Sequence, residues 1–486
     1  MRRILSALFI LSSASVAHSQ NPAATISFTP FTLRTYDGQT HNIEIGKIAV
    51  TRRDTVAFYR LRTTSDVIPS IPTVFLMGGP GVPATVIAPI PPYWQLFDAL
   101  RSSGDVILLD QRGLGLSSPK VDCPPYPDFD TAFLTSHAKL VAAYRRVVAT
   151  CAESWRSKGV DPRSYSDIAI ADDVEAIRKA LNAPKMNVLG FSYGTRLAMT
   201  YARRYPQSVG RMVLQGPLDA ELGYRDATQR DALLTRIASL AEKDSVSAPF
   251  SQNLILRIRA LFNRAASAPF IVKIGRAAKR DSVSIAVGEE GLRGILDGHI
   301  TDPRLAAFVA STERGDLTIL SRWVESMYND FSGGAGSLMA RAINCSAQPS
   351  LARRKTVDAK AAKTILGAPV DNFAMDTDFC SALGGKPPAA QSRLPKPIQA
   401  KVLFITGEFD DRTPPGNDSI LAREFTDTYR MKIANGGHEL LPNDAVQKIV
   451  TDFFQGIDVR VRVVSNSPIR FMSIEDAKQP PRRPGR

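Results

Sequence analysis

The chain has 486 residues, enough for a large core arranged as two or three domains or as one domain with insertions. With 44% hydrophobic and 22% charged residues it falls among ordinary folded chains rather than low-complexity ones. The formal charge of +14 raises nucleic-acid binding, but no finger, helix-turn-helix or aromatic-basic motif supports that class, and the excess is read as weak attraction to anionic envelope polymers.

In chain order, Arg2 and Arg3 precede a short apolar run, Ile4 to Leu11. Ser15-Val16-Ala17 and Ala17-His18-Ser19 both fit a small-residue cleavage site. The run is too short to span a bilayer, so residues 1–19 are expected to be a signal peptide and the chain to be secreted or periplasmic. No later stretch is long and apolar enough to cross a membrane. Ile43 to Val50 and Thr55 to Arg62 read as a strand pair. "PTVFLMGGPG" (72–81) and "DVILLDQRG" (105–113) are buried strands running into loops. Residues 119–165 form an insertion with a helix expected over His137 to Lys158. Asp167 to Leu181 has helical periodicity, "MNVLGFS" (186–192) is a strand, Tyr193 to Tyr205 a helix and "RMVLQGP" (211–217) a strand. This alternation implies a parallel sheet covered on both faces.

From 219 to 395 the pattern is largely helical, without obvious paired strands. Strands return with "KVLFITGEFD" (401–410) and "RMKIANGGHE" (430–439), and a helix over Asn443 to Phe454 follows. The expected organisation is an α/β core over 20–218 and 396–456, a helical cap over 219–395 and a basic tail over 457–486, Pro- and Arg-rich and disordered from about Pro480. Cys123, Cys151, Cys345 and Cys380 are spaced too widely for a compact zinc site, and no metal is expected. An even count in an exported chain suggests disulfides. Of three pairings the local one, Cys123–Cys151 and Cys345–Cys380, is the simplest.

The chemistry centres on "VLGFSYGTRLA", where Ser192 sits between a strand and a helix with Gly190 and Gly194 two places either side. A strained turn there lifts a serine hydroxyl above the sheet, and the N–H of Tyr193 at the helix start can stabilise an oxyanion. A serine nucleophile needs a base. Among five histidines, His438 in "NGGHEL" follows the last strand, which suits the order serine, acid, histidine. The acid should lie between them in "GEFDDRTPP": Asp410 or Asp411, with Glu408 less favoured. Whichever aspartate is not the acid is expected to cap the turn, and Asp411 is well placed to pair with Arg412. "MGGPG" (77–81) offers a second oxyanion donor, best placed at Gly79. In the cap, Glu289 and Glu290 of "VGEEGLRG" could bind a substrate ammonium or simply begin a helix.

"GGPG", "DQRGLGLSS", "GFSYGTRLA", "GEFDDRTPP" and "GGHE", in this order, resemble the α/β-hydrolase family of proline iminopeptidases and secreted tripeptidyl aminopeptidases. The resemblance covers about residues 70–218 and 400–440, and the Cys123 to Cys151 region is similar to the secreted branch. It implies an α/β-hydrolase core with a mostly parallel sheet and an inserted helical cap. It further implies Ser192, Asp410 and His438 as a triad, Gly79 and Tyr193 as oxyanion donors, a structural Asp110-Gln111-Arg112-Gly113, no cofactor, and short peptides cleaved from a free N-terminus. The chain departs from the family pattern at Met77, where iminopeptidases carry histidine, at Ala347, where secreted relatives carry an acid, and at Glu439, where glycine often follows the histidine. An esterase or amide hydrolase acting on a small non-peptide substrate shares the same frame. A non-catalytic binding protein on this fold would not need serine, acid and histidine all intact.

Overall fold

The computed structural model describes residues 25–66, 71–120, 122–124, 128–277, 279–332, 338–368, 372, 375, 380–383, 397–460 and 464–480. The expected signal peptide over 1–19 and the Pro- and Arg-rich end beyond Pro480 lie outside them. Nine strands form the central sheet: β1 (Ser27–Arg34), β2 (Thr40–Ala49), β3 (Thr55–Leu61), β4 (Thr73–Leu76), β5 (Val106–Asp110), β6 (Met186–Phe191), β7 (Val209–Gln215), and two later strands at Ile398–Gly407 and Phe425–Ile433. Between these in sequence lie β8 (Phe270–Arg276) and β9 (Asp281–Val287), so the last two sheet strands are β10 and β11. The sheet order is β1-β2-β3-β5-β4-β6-β7-β10-β11. Strands from β5 to β11 in that order run parallel, while β1, β2 and β3 are antiparallel additions at one edge.

The parallel strands are covered on both faces, and "TVFL", "VILLD" and "MNVLGF" are buried at every position. The edge strand β1 has no such run. Six of its eight residues are exposed, and its weak alternation explains why the sequence reading missed it. Helices fall where periodicity places them. His137–Ser157 begins at Ser136, whose hydroxyl accepts from the Lys139 N–H, and Asp444–Phe454 begins at Asn443, whose side-chain Oδ1 accepts from the Ala445 and Val446 N–H groups.

The cap is not purely helical. β8 and β9 pair as an antiparallel hairpin. Its burial alternates, with Phe270, Val272 and Ile274 buried while Ile271 and Lys273 are exposed, but the apolar Ile271 on the outer face hides that period of two in the sequence. The 119–165 insertion joins this layer. Leu134 bridges Val287, and its carbonyl accepts from the Gly288 and Gly291 N–H groups. Of the expected tail, the described residues 464–480 pack onto the rest of the molecule. Asn466 N–H donates to Ala434 at 2.8 Å, then Met472 N–H donates to Pro303 at 3.1 Å. Lys478 pairs with Asp316 at 2.6 Å, and Phe471, Ile474 and Ala477 are buried. This strap runs from the core loop before His438 to the cap.

Cys123 is joined to Cys151, and Cys345 to Cys380. The bridges close loops of 28 and 35 residues, each worth about 3–4 kcal/mol in the chain-entropy description. Peptide mapping without reductant is expected to recover these two pairs. Cys345→Ser/Cys380→Ser should lower the melting temperature, and a crossed pairing or four free thiols in the protein purified without reductant would refute the assignment.

Candidate active site

Three strands end at one place. β6 leads directly into Ser192, β10 into the loop bearing Asp410, and β11 into the loop bearing His438. The carboxyl end of a parallel sheet is where α/β folds place their ligands. Glycines allow these ends to meet. A methyl added at Gly407 would lie 2.1 Å from the Gly437 carbonyl oxygen, so the β10 and β11 loops touch through backbone. Phe409 N–H donates to the Gly436 carbonyl at 2.7 Å and locks them.

Ser192 has φ +54° and ψ −123°, a left-handed conformation that costs a non-glycine residue about 1–3 kcal/mol. Its own N–H donates to the Gln215 carbonyl at 2.9 Å, which pins the bend to β7. The two flanking glycines serve close approach rather than unusual dihedrals. A methyl at Gly194 would sit 1.8 Å from the Leu76 carbonyl oxygen, and one at Gly190 would sit 2.9 Å from the Gly194 carbonyl oxygen. The helix Tyr193–Arg204 therefore lies directly on the end of β4.

His438 Nε2 is 2.9 Å from Ser192 Oγ, and its Nδ1 is 2.9 and 3.0 Å from the two Asp410 oxygens. With Nδ1–H directed at the carboxylate, Nε2 is free to accept the serine proton. Asp410 is fully buried. Burial pushes its pKa up, but the His438 and Thr413 hydrogen bonds outweigh that and hold it below the usual carboxylate range. Thr413 gives Asp410 both its N–H, at 2.7 Å, and its hydroxyl, at 2.6 Å. Gln215 Nε2 donates to the His438 carbonyl at 2.8 Å.

The other carboxylates of this loop are separated by their partners. Glu408 accepts from the Asn435 N–H, which with Arg236 at 2.7 Å holds it below the usual carboxylate range. It braces the loop against the cap helix Ala227–Ala241 and does not reach the imidazole. Asp411 is 8% exposed, and its carboxylate makes neither the turn cap nor the Arg412 pair that the sequence suggested; its carbonyl accepts from Arg230, which also pairs with Asp297. Gly78 and Gly79 pass beside the serine. A methyl at Gly78 would be 2.9 Å from Ser192 Cβ, and Gly79 has φ +122°. The Tyr193 N–H belongs to a first helical turn, where backbone donors have no intrahelical acceptor. Glu289 and Glu290 are not brought to this centre. They pair with Arg293 at 2.6 Å and with His137 at 3.2 Å.

Residues 72–266 match the alpha/beta hydrolase fold family, and residues 368–462 match a family described as TAP-like protein. The chain has the α/β-hydrolase fold. It is 24% identical over 389 residues to "Putative hydrolase YuaR" of Escherichia coli K12, across 76% of this chain and 73% of that one. It is 29% identical over 191 residues to serine protease Hip1 of Mycobacterium tuberculosis H37Rv, across 35% of this chain and 36% of that one. It is 32% identical over 116 residues to tripeptidyl aminopeptidase of Streptomyces lividans, across 23% of this chain and 21% of that one.

Some groups around this site escaped the sequence reading. Thr413 carried a signal, since Asp followed three residues later by Thr fits a side-chain-supported turn. Arg196 and Asn344 carried none. They are 148 residues apart in sequence, yet Asn344 Oδ1 accepts from both Arg196 terminal nitrogens at 3.2 Å. Of the departures from the family pattern, Glu439 accepts from Tyr93 at 2.6 Å, and Met77 and Ala347 are buried.

Proposed function

We propose that this protein is exported and cleaves amide bonds of short peptides from a free N-terminus through an acyl-enzyme. The observation that carries the reading is the hydrogen-bonded line Ser192–His438–Asp410 on a strained serine at the ends of three strands. In this reading Ser192 Oγ attacks the substrate carbonyl while His438 Nε2 takes its proton. Asp410 steadies the resulting imidazolium. The N–H groups of Gly79 and Tyr193 receive the developing oxyanion. The tetrahedral intermediate collapses as the imidazolium protonates the leaving amine. A water then attacks the ester, with His438 again as base, and releases the acid and Ser192. Two disulfides suit an oxidising compartment and so support export. The names of Hip1 and tripeptidyl aminopeptidase support peptides as substrates.

A fluorophosphonate probe should label wild type at Ser192 and leave Ser192→Ala unlabelled. The mature protein should then be assayed against aminoacyl and peptidyl amides beside simple acyl esters. Turnover of amides that requires a free amino group supports the aminopeptidase. Turnover of esters alone favours a hydrolase of small non-peptide substrates, and no turnover with no labelling favours a binding protein.

Glu289 and Glu290 each already face a neighbouring cationic or basic group, so the geometry lends no support to an ammonium anchor there. Glu289→Gln and Glu290→Gln are expected to change KM equally for free-amine and N-blocked peptides. A selective rise in KM for the free-amine peptide would restore the role.

A further inference from the structure

Resting on the reading of Tyr193 N–H as an oxyanion donor, we propose that the cap residue Asn344 is a positioning residue for that donor, acting through Arg196. The helix Leu338–Ser346 brings Asn344 to the back of the serine turn. Asn344 Oδ1 accepts from Nη1 and Nη2 of Arg196, both at 3.2 Å. Arg196 is 3% exposed, and its Nε is 3.0 Å from Asp167 Oδ2, an ionic contact rather than a well-aligned hydrogen bond. Its guanidinium carbon lies 4.7 Å from the centroid of the Tyr193 ring. The Tyr193 hydroxyl donates to Asp167 Oδ1 at 2.9 Å. Burial, followed by the Asp167 charge, holds that phenol well above the usual tyrosine range, so it stays a donor.

The side chain of the residue after the nucleophile is therefore fixed twice, by a cation over its face and by a carboxylate at its hydroxyl. The cation itself is held on one side by Asp167 and at its tip by Asn344. Asp167 supplies the counter-charge and accepts from Nη2 at 3.4 Å, and Asn344 gives both terminal guanidinium nitrogens a shorter acceptor in a site nearly closed to water. The same helix reaches the other oxyanion segment, because a methyl added at Gly81 would be 3.3 Å from Ala340 Cβ. One turn further on, its end is tied down by Cys345–Cys380. A single cap helix thus bears on both backbone segments that would hold the oxyanion. Donors placed for a tetrahedral oxygen act in the transition state more than on bound substrate, so their loosening lowers kcat rather than raising KM.

The test compares wild type, Asn344→Ala and Asn344→Asp, with kcat expressed per fluorophosphonate-titrated site so that unfolded protein does not count. Asn344→Ala should lower kcat about tenfold to hundredfold and leave KM within about twofold, a smaller loss than deleting a donor outright. Affinity for a boronic acid that forms a tetrahedral adduct on Ser192 should fall by the same factor as kcat/KM. Asn344→Asp keeps an acceptor and should stay within about threefold of wild type. Asn344→Ser, too short to span both nitrogens, replaces the alanine variant if that one is insoluble. A kcat within twofold of wild type, a boronate affinity that does not follow kcat/KM, or an aspartate variant as impaired as alanine would overturn the proposal. A wild type that neither turns over nor labels would overturn the hydrolase reading beneath it, an outcome distinct from an active wild type matched by its Asn344 variants.

Discussion

Asp410→Asn is expected to keep the fold and to lose about 10³–10⁴-fold in kcat. The carboxylate receives His438 Nδ1 at 2.9 and 3.0 Å, and with an amide in its place the imidazole loses both its orienting anion and its tautomer. Thr413 would keep the loop in place, since its N–H can still donate to the amide oxygen and its hydroxyl can accept from the amide NH2. Asp411→Asn should cost less than about tenfold. The residue's hold on the cap runs through its carbonyl to Arg230, which the substitution leaves intact, and its carboxylate has no hydrogen-bond partner among the described residues. Melting temperatures measured alongside separate lost chemistry from unfolding. A large kinetic loss at Asp411 with unchanged stability would move the acid by one residue. Glu408→Gln offers a third comparison, in which a loss should appear in stability, because Glu408 serves Asn435 and Arg236.

Gly194→Ala should be far more damaging than Gly190→Ala. At Gly194 the added methyl meets the Leu76 carbonyl oxygen at 1.8 Å and its carbon at 2.6 Å. These are backbone atoms of a central strand and cannot rotate away, so the helix Tyr193–Arg204 must lift off β4. The overpacking should cost about 3 kcal/mol or more. The shift also carries Ser192 and the Tyr193 N–H out of line with His438, so folded protein should lose at least about tenfold in kcat. At Gly190 the methyl meets backbone of the same helix less closely, the Gly194 carbonyl oxygen at 2.9 Å and Thr195 Cα at 3.0 Å, so a smaller shift is needed and the loss should be about 1–3 kcal/mol with part of the activity kept. Thermal melts and activity per titrated site check both. Equal effects of the two variants would refute the close-approach account of the motif.

These two glycines show what was legible in the sequence. Gly-x-Ser-x-Gly between an apolar strand and a periodic helix carries its own geometry, because spacing, strand and turn are local. The serine, the histidine after the last strand and the loop bearing the acid were legible for that reason. Alternation alone did not separate Asp410 from Asp411, because it fails once the strand ends at Gly407. The resemblance to the family pointed to Asp410, and Asp410 is the aspartate that lies 2.9 and 3.0 Å from His438 Nδ1. The hairpin β8–β9 was overlooked because its seven-residue strands sit inside a helical stretch. The bonds joining Arg230, Arg196 and Arg236 to partners on the other side of the core–cap boundary pair residues 148 to 181 positions apart, and one sequence offers no signal at that range.

The strap from Val464 to Pro480 also bears on how the molecule melts. It is stitched to the loop before His438 by the Ala434–Asn466 bond and to the cap by Pro303–Met472 and Asp316–Lys478. Neither layer can open without releasing the other, so heating should give one endotherm with calorimetric and van't Hoff enthalpies in agreement. A chain cut after residue 463 loses this coupling, and its cap should melt first, as a separate and earlier transition.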